Sequence, residues 1–451
     1  MKGLLAALQW FFILYFAIGG LGHAALNLVA IPRLRRRISL RRLEDLPPAH
    51  PALQRGISLL LAARDERETV VADVEALLRL DYPELEVVVI DDGSSDGTLA
   101  ALVDAFELEA FPEAHWRRLP ARPVRTIYHS RRYPNLRVVD KEPGGRSDAL
   151  NVGINASRYP LFCAVDRERV LHRDALLRLA EPFADDPATI VSCGGVRVAN
   201  GCRFEGEALA EIALPRRMLP LFQIVENLRS TLFERLGWAS ALPSAADAVT
   251  LFRKDVAVEA GGYRAGSIGG DTELVLRLHR VLRGRGERYS MHWAAAPVAW
   301  VHAPGHMDAV MERHAEDQRA LAESLHLNLG LPRSGGDGGA PGWVAFPFVL
   351  AFECYGPLVE MAAYAFMAAM WLGGQISGVA LAAFVFMALS LGLLHSMTGL
   401  LAEEASLRLY PRFPQAMVLL AAAVVENVGY RQVVSAWKLV GLVRWMRFGG
   451  R

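Results

Sequence analysis

Cysteine is scarce in this chain, and what there is does not pair by spacing. The four in 451 residues, Cys163, Cys193, Cys202 and Cys354, form no CxxC, and a chain of this length does not rely on disulfide staples. They read as reduced, buried, cytosolic thiols. Net charge is missing too: 49 Lys and Arg stand against 48 Asp and Glu, which leaves no field to gather a polyanion and excludes nucleic acid as an expected partner. No internal repeat is evident. Charged residues are absent altogether from Leu4 to Ile31. A bilayer core of ~30 Å is crossed by ~20 apolar residues, so this run is expected to span. It is too long for a signal peptide, and no small-residue cleavage site follows it.

The apolar excess, 52% of the chain, collects at the two ends. Directly after the first run come Arg33, Arg35, Arg36, Arg37, Arg41 and Arg42, and such a cluster marks the cytoplasmic side of a span. The chain therefore reads as a multi-pass protein of the cell (inner) membrane with its central domain in the cytoplasm. Near the C-terminus, Val344 to Leu372 and Ile376 to Ala402 are long enough to span, and Gln415 to Val425 is a shorter apolar run leading into a basic amphipathic tail. Three C-terminal membrane segments are expected. Glu353 and Glu360 interrupt the first, with Gly356-Pro357 between them, which suits a kinked span or an interfacial helix followed by a shorter span. Strict alternation would put the tail residues Arg431, Lys438, Arg444, Arg447 and Arg451 outside, against their charge. One of the segments is therefore expected to lie in the interface or re-enter.

Between these ends the pattern changes to short apolar runs alternating with amphipathic stretches, the mark of parallel strands joined by helical crossovers. Strands are expected at 57–62, 85–90, 161–165 and 190–196, with a helix over 68–80 between the first two. The segment 111–136, rich in Arg and Pro, reads as a loop-like insertion, and the glycine-rich 330–342 as a flexible linker. The expected organisation is a membrane helix and basic segment over 1–49, an α/β domain over 50–329, the linker, membrane helices over 343–430, and a basic tail over 431–451.

Ligands of an open parallel sheet bind beyond the carboxyl ends of its strands. Two expected strands here end in acids: Val87–Ile90 runs into Asp91-Asp92-Gly93-Ser94-Ser95-Asp96-Gly97-Thr98, and Leu161–Val165 into Asp166-Arg167-Glu168. Each motif alone also fits a plain turn, helix cap or solvated acidic loop. Taken in order with AARDE (62–66), KEPGGRSDALNVGI (141–154), GGDTELVLRLHR (269–280) and the flanking apolar runs, they resemble the membrane-bound family 2 glycosyltransferases of GT-A fold, the branch of cellulose, hyaluronan and poly-N-acetylglucosamine synthases. The resemblance covers essentially the whole chain. It implies an α/β GT-A domain that takes a sugar from a nucleotide-diphospho-sugar, a UDP-sugar first among them, and passes it with inversion to a glycan or lipid acceptor at the bilayer.

The same resemblance implies residue roles. Glu66 and Asp92 would accept hydrogen bonds from the nucleoside, and Arg146 would meet the diphosphate, a task suited to a planar guanidinium. Asp166 and Glu168 would hold Mg2+ or Mn2+ against the diphosphate. Asp271 would be the general base that takes the acceptor's proton. A plain N-cap for a helix over 272–282 is the alternative for Asp271.

Some positions depart from the family's pattern. Arg167 stands between the two acids, where it could neutralise the site; Gly270 replaces an acid before Asp271; and the QxxRW-like stretch survives only as Glu316, Arg319 and Ala320. His302, His306 and His314 match no trusted zinc spacing. A catalytically weak relative acting as a scaffold or binding subunit therefore stands beside the enzyme reading. A transporter is disfavoured, because there are no repeat halves and no polar midplane constellation. If the arginine cluster sets the topology, a reporter fused between Gly335 and Gly342 will behave as cytoplasmic, and periplasmic reporter activity there would refute that orientation.

Overall fold

A computed structural model describes residues 2–39, 55–111, 117–205, 208–236, 248–333, 345–406 and 409–448. The strands are β1 (Ile57–Ala63), β2 (Leu85–Asp91), β3 (Leu108–Ala110), β4 (Val124–Ser130), β5 (Leu136–Lys141), β6 (Leu161–Ala164), β7 (Arg169–Leu171), β8 (Thr189–Val198), β9 (Arg203–Glu205), β10 (Ala208–Glu211), β11 (Ala248–Arg253) and β12 (Ser290–Val301). All but the β9–β10 hairpin join one mixed sheet in the order β3-β4-β5-β2-β1-β6-β11-β8-β12-β7. The centre, β5-β2-β1-β6, is parallel. Its strands are buried on both faces, as near-continuous Val, Leu and Ile runs require. The helices between the two apolar ends are α2 (Val70–Leu78), α3 (Thr98–Phe106), α4 (Arg146–Ala156), α5 (Ala175–Asp185), α6 (Met218–Leu236), α7 (Lys254–Glu259), α8 (Gly270–Arg285) and α9 (Met307–Leu327), following α1 (Lys2–Ser39). Two apolar layers result, one on each face of the sheet.

The expected strands at 57–62, 85–90, 161–165 and 190–196 and the helix over 68–80 are present within a residue or two at most ends. The insertion over 111–136 is corrected: it carries β4, an antiparallel strand between β3 and β5. Only two of β4's seven residues are buried, so this strand near the sheet's edge lacks the apolar alternation that would have exposed it in sequence. Antiparallel β11 and β7 likewise make the sheet mixed rather than purely parallel. Of the expected linker, residues 331–333 form a 3-10 turn and 334–342 lie outside the described residues. Cys163, Cys193 and Cys354 are buried, Cys202 is half-buried, and all four are free thiols.

The C-terminal part runs through α10 (Phe346–Phe348), a π-helical stretch Val349–Cys354, α11 (Gly356–Leu372), α12 (Gly378–Ser406), α13 (Phe413–Glu426) and α14 (Tyr430–Phe448). Gly3–Leu28 and Gly378–Glu404 are long and apolar enough to cross a membrane by themselves. Phe346–Cys354 with Gly356–Leu372, and Phe413–Glu426 with Tyr430–Arg447, qualify only as pairs bent by 47° and 61°. The first bend falls where Gly356-Pro357 predicts a kink: the proline removes a backbone donor, and the helix widens into a π-turn just before it.

A buried ion pair fixes the far end of the parallel core. Arg137 on β5 donates to Glu86 of β2 at 2.7 Å, with both side chains 6% exposed or less. Arg137 also donates to the Ala156 carbonyl at the end of α4, and Glu86 accepts from the Ser58 hydroxyl and the Arg158 amide. Removing one partner of such a pair strands a desolvated charge. Glu86→Ala is expected to cost about 3–5 kcal/mol, whereas replacing Glu86 and Arg137 together by leucine should recover most of that, measured by thermal unfolding of the detergent-solubilised chain.

Candidate active site

The strand order reverses about β1, where β2 lies on one side and β6 on the other. Their carboxyl ends bring the loop after Ala63, Asp91-Asp92 and Asp166 to one edge of the sheet, the place where open α/β sheets bind ligands.

Much of the Asp-Gly-Ser-Ser-Asp-Gly-Thr loop serves to hold the loop that carries Glu66. The amides of Asp65, Glu66 and Arg67 donate to the Ser94 hydroxyl, the Thr98 hydroxyl and the Asp96 carboxylate at 3.0, 2.7 and 2.9 Å. The Glu66 side chain is 7% exposed and pairs through Oε1 with Arg167 Nε at 3.0 Å. Its Oε2 is buried with no hydrogen-bond partner among the described residues, and burial raises its pKa. Arg167 thus turns away from Asp166 to Glu66, which corrects the expectation that it neutralises the acids beside it.

Asp92 is 3% exposed. Its oxygens accept from Lys141 Nζ and from the amides of Gly144 and Gly145, the last two at 2.8 and 2.7 Å. The carboxylate expected to face a nucleoside is occupied in shaping the turn that starts α4. Both glycines are required there. A Cβ on Gly144 would meet the Asp148 carboxylate at 2.4 Å, and Gly145 sits at φ +87°, a conformation costly for residues with a side chain.

That turn sets Arg146 at the start of α4, where its guanidinium pairs with Asp166 Oδ1; Arg169 takes Asp166 Oδ2 at 2.9 Å. The cations beside Asp166 therefore come from α4 and β7. Glu168 is exposed, makes no ion pair among the described residues, and does not line the pocket that Asp166 lines. No group of three His, Cys, Asp or Glu that could cage a metal occurs among the described residues.

Asp271 was weighed as an N-cap, and the structure corrects this. The helix begins at Gly270, two residues before the expected start, with Gly269 at the cap position and Asp271 in the first turn. Its Oδ1 accepts from the Tyr263 hydroxyl at 2.7 Å. Burial pushes its pKa up to about 6, against the opposing influence of the Tyr263 hydroxyl and of Arg146. Arg146, Asp166 and Asp271 line one pocket of about 190 Å³, together with Arg169, Tyr263 and, from α9, Asp317. A carboxylate poised near 6, facing two guanidiniums and a second carboxylate, can take a proton near neutral pH beside a bound diphosphate.

Residues 58–257 match the glycosyl transferase family 2 profile. This stretch is a family 2 glycosyltransferase domain. The poly-beta-1,6-N-acetyl-D-glucosamine synthase of Staphylococcus epidermidis is 26% identical over 227 residues, 50% of this chain and 46% of that protein. The enzyme of the same name from Staphylococcus aureus (strain COL) is 26% identical over 246 residues, 54% of this chain and 50% of that protein. The chain thus spans about half the length of these curated relatives. In fold, it matches a mannosyltransferase of Pyrobaculum calidifontis solved with GDP-Man and Mn2+, at TM-score 0.53 and 15% identity, covering 98% of this chain and 100% of that one. The fold of the family 2 domain is GT-A.

Sequence reasoning missed three partners of the expected site residues. Lys141, fully buried, joins Asp92 to Asp148; Arg169 pairs with Asp166; Tyr263 holds Asp271. Lys141 alone left a trace, as a lysine closing an apolar strand immediately before the glycine pair. The Asp271 carboxyl also has a signature in stability. Its folded pKa of about 6 lies above the unfolded value of 3.8, so the native state binds the proton more tightly and loses that contribution as pH rises from about 4 to 6. Asp271→Asn keeps an acceptor for Tyr263 and no longer titrates. The variant is expected to be at least as stable as the parent at pH 7, with the parent gaining on it below pH 6. Thermal midpoints taken across that range would show the reverse ordering if Asp271 were an ordinary stabilising carboxylate.

Proposed function

We propose that the chain is a membrane-bound inverting transferase that moves a sugar from a nucleotide-diphospho-sugar to a glycan or lipid acceptor, working on the cytoplasmic side. The observation that carries this reading is the shared pocket of Asp271, Arg146 and Asp166. In the transfer, an acceptor oxygen bonds to the anomeric carbon as that carbon's bond to the diphosphate oxygen breaks. The hydroxyl proton passes to Asp271, and the nucleoside diphosphate leaves with the electron pair. Tyr263 keeps the Asp271 carboxylate oriented toward the pocket. Arg146 and Arg169, now on Asp166, supply the positive charge that a diphosphate needs. The unpaired Glu66 Oε2 suits a nucleoside hydroxyl, and Asp92 acts by positioning the Gly144-Gly145 turn.

A magnesium-type site takes one or two carboxylates and completes its shell with phosphate oxygens and water. Asp166 is the pocket carboxylate that would hold Mg2+ or Mn2+ in such a site, whereas Glu168, the second expected acid, is exposed and does not line that pocket. The ion, when bound, supplies further neutralisation of the leaving diphosphate. The similarity to poly-beta-1,6-N-acetyl-D-glucosamine synthases supports polysaccharide synthesis, and the fold-level neighbour was solved with a GDP-sugar and Mn2+. The scaffold alternative draws on the two guanidiniums that already satisfy Asp166.

Purified chain supplied with UDP- and GDP-sugars and Mn2+ is expected to release nucleoside diphosphate, with kcat/KM falling below about pH 6. Asp271→Asn should lower turnover by roughly 10²- to 10⁴-fold with donor affinity intact, and Asp166→Asn should remove the dependence of donor binding on Mn2+. Donor binding with no turnover by the parent would favour the scaffold, and turnover untouched by Asp271→Asn would end the base assignment.

A further inference from the structure

Charge is spread unevenly over the pocket of Asp271. Among the described residues that line it, the cations are Arg146 and Arg169, and the carboxylates are Asp166, Asp271 and Asp317. Both guanidiniums converge on Asp166, so the positive charge is gathered at the end assigned to the diphosphate. The rest of the wall, where a sugar joined to that diphosphate would lie, carries Asp271 and Asp317 and no cation among the described residues.

Asp317 belongs to α9, and the packing of that helix holds it in place. Asp317, Ala320 and Leu321 are three and four residues apart, so they share one helix face, and all three line the pocket. The same face presses on the loop that leads into α8: a Cβ on Gly269 would meet Ser324 Oγ at 2.0 Å and the Ala320 carbonyl oxygen at 3.2 Å. Glycine at 269 therefore lets α9 close on the segment that carries Asp271, and the small Ala320 keeps the pocket open on this side. Arg313, one turn earlier, stands 3.9 Å from Asp317 and does not line the pocket, and the Asp317 side chain is 49% exposed. Its charge acts in the pocket, attenuated by water and salt.

The space next door carries no surplus of cations among the described residues. Thr272 and Leu321 also line a cavity of about 250 Å³ among α1, α6, α11, α12, α13 and α14. There Arg229 pairs with Glu426 at 2.5 Å and Lys438 with Glu226 at 3.7 Å, while Glu353 and Glu360 stand against Arg431.

A carboxylate accepts from a hydroxyl or an amine, whereas a second carboxylate brought beside it meets like charge. Resting on the transferase reading above, we infer that Asp317 is a specificity-determining residue for the donor's sugar, accepting one of its hydroxyl or amine groups and excluding sugars that carry a carboxylate. The donors that fit are nucleotide-linked neutral or amino sugars, and nucleotide-linked uronic acids do not.

The test reads binding, so it does not depend on turnover. Calorimetric titration of the full chain in lipid nanodiscs at neutral pH with Mn2+ would compare UDP-glucose with UDP-glucuronate and GDP-mannose with GDP-mannuronate, each pair differing by a carboxylate in place of a hydroxymethyl group. UDP and GDP serve as controls without a sugar. In whichever pair binds, the parent is expected to prefer the neutral sugar by about 10-fold or more, the size of one unit-charge repulsion near a protein surface, and the preference should shrink as ionic strength rises. Asp317→Asn, which keeps the shape and an acceptor oxygen, should bring the ratio close to one, and Asp317→Lys should invert it. Neither should change the affinity for UDP or GDP. A parent that binds the uronate as tightly as the neutral sugar, or a ratio indifferent to Asp317→Asn and to salt, would overturn the inference and leave the transferase reading standing. If no nucleotide sugar and neither free nucleotide binds, that reading fails and this inference with it.

Discussion

Lys141 is fully buried at the end of a central strand, and a buried ammonium persists only where carboxylates and hydrogen bonds enclose it. It meets Asp92 at the end of β2, Asp148 in the first turn of α4 and the carbonyl of Glu142. Through Asp92 the same charge organises the Gly144 and Gly145 amides, and so fixes where α4 begins. Arg146 is the first residue of that helix, and its reach to Asp166 follows from the start point. Two strand ends and a helix start are thereby locked into one geometry before any ligand arrives, the kind of preorganisation on which electrostatic catalysis depends.

A second set of buried charges ties the mixed sheet to the apolar helices. Arg197, on fully buried β8, pairs with Glu403 near the end of α12 at 3.1 Å, with side chains 1% and 5% exposed. Arg229 on α6 does the same with Glu426 on α13. Such pairs add little net stability against well-packed apolar substitutes, but they penalise any other register, since a shifted helix would leave a charge buried and alone. Helix α6 therefore works as a bridge, with one face toward β8 and the other toward α12 and α13.

Both cavities meet at the start of α8. Asp271 lines the pocket it shares with Arg146 and Asp166, and Thr272, the next residue, also lines the cavity among the apolar helices. Helix α9 contributes Leu321 to both cavities and Asp317 to the pocket of Asp271.

The sequence by itself determined the elements whose burial leaves a periodic trace. Continuous apolar runs predict β1, β2, β6 and β8, the uncharged run near the N-terminus marks a helix able to span, and acids at two strand ends mark the edge where the site lies. It could not determine pairing. Arg167 is adjacent to Asp166 in the chain, but both lie in the loop between β6 and β7, and its guanidinium goes to Glu66. Asp92 was read as facing a ligand, yet it is enclosed by a lysine 49 residues away. Strand β4, one in from the sheet's edge, leaves no period because only Ile127 and Ser130 of its seven residues are buried. The tertiary structure alone decided these partners, because the strength of a charge's interaction depends on distance and desolvation in the fold, and separation along the chain fixes neither.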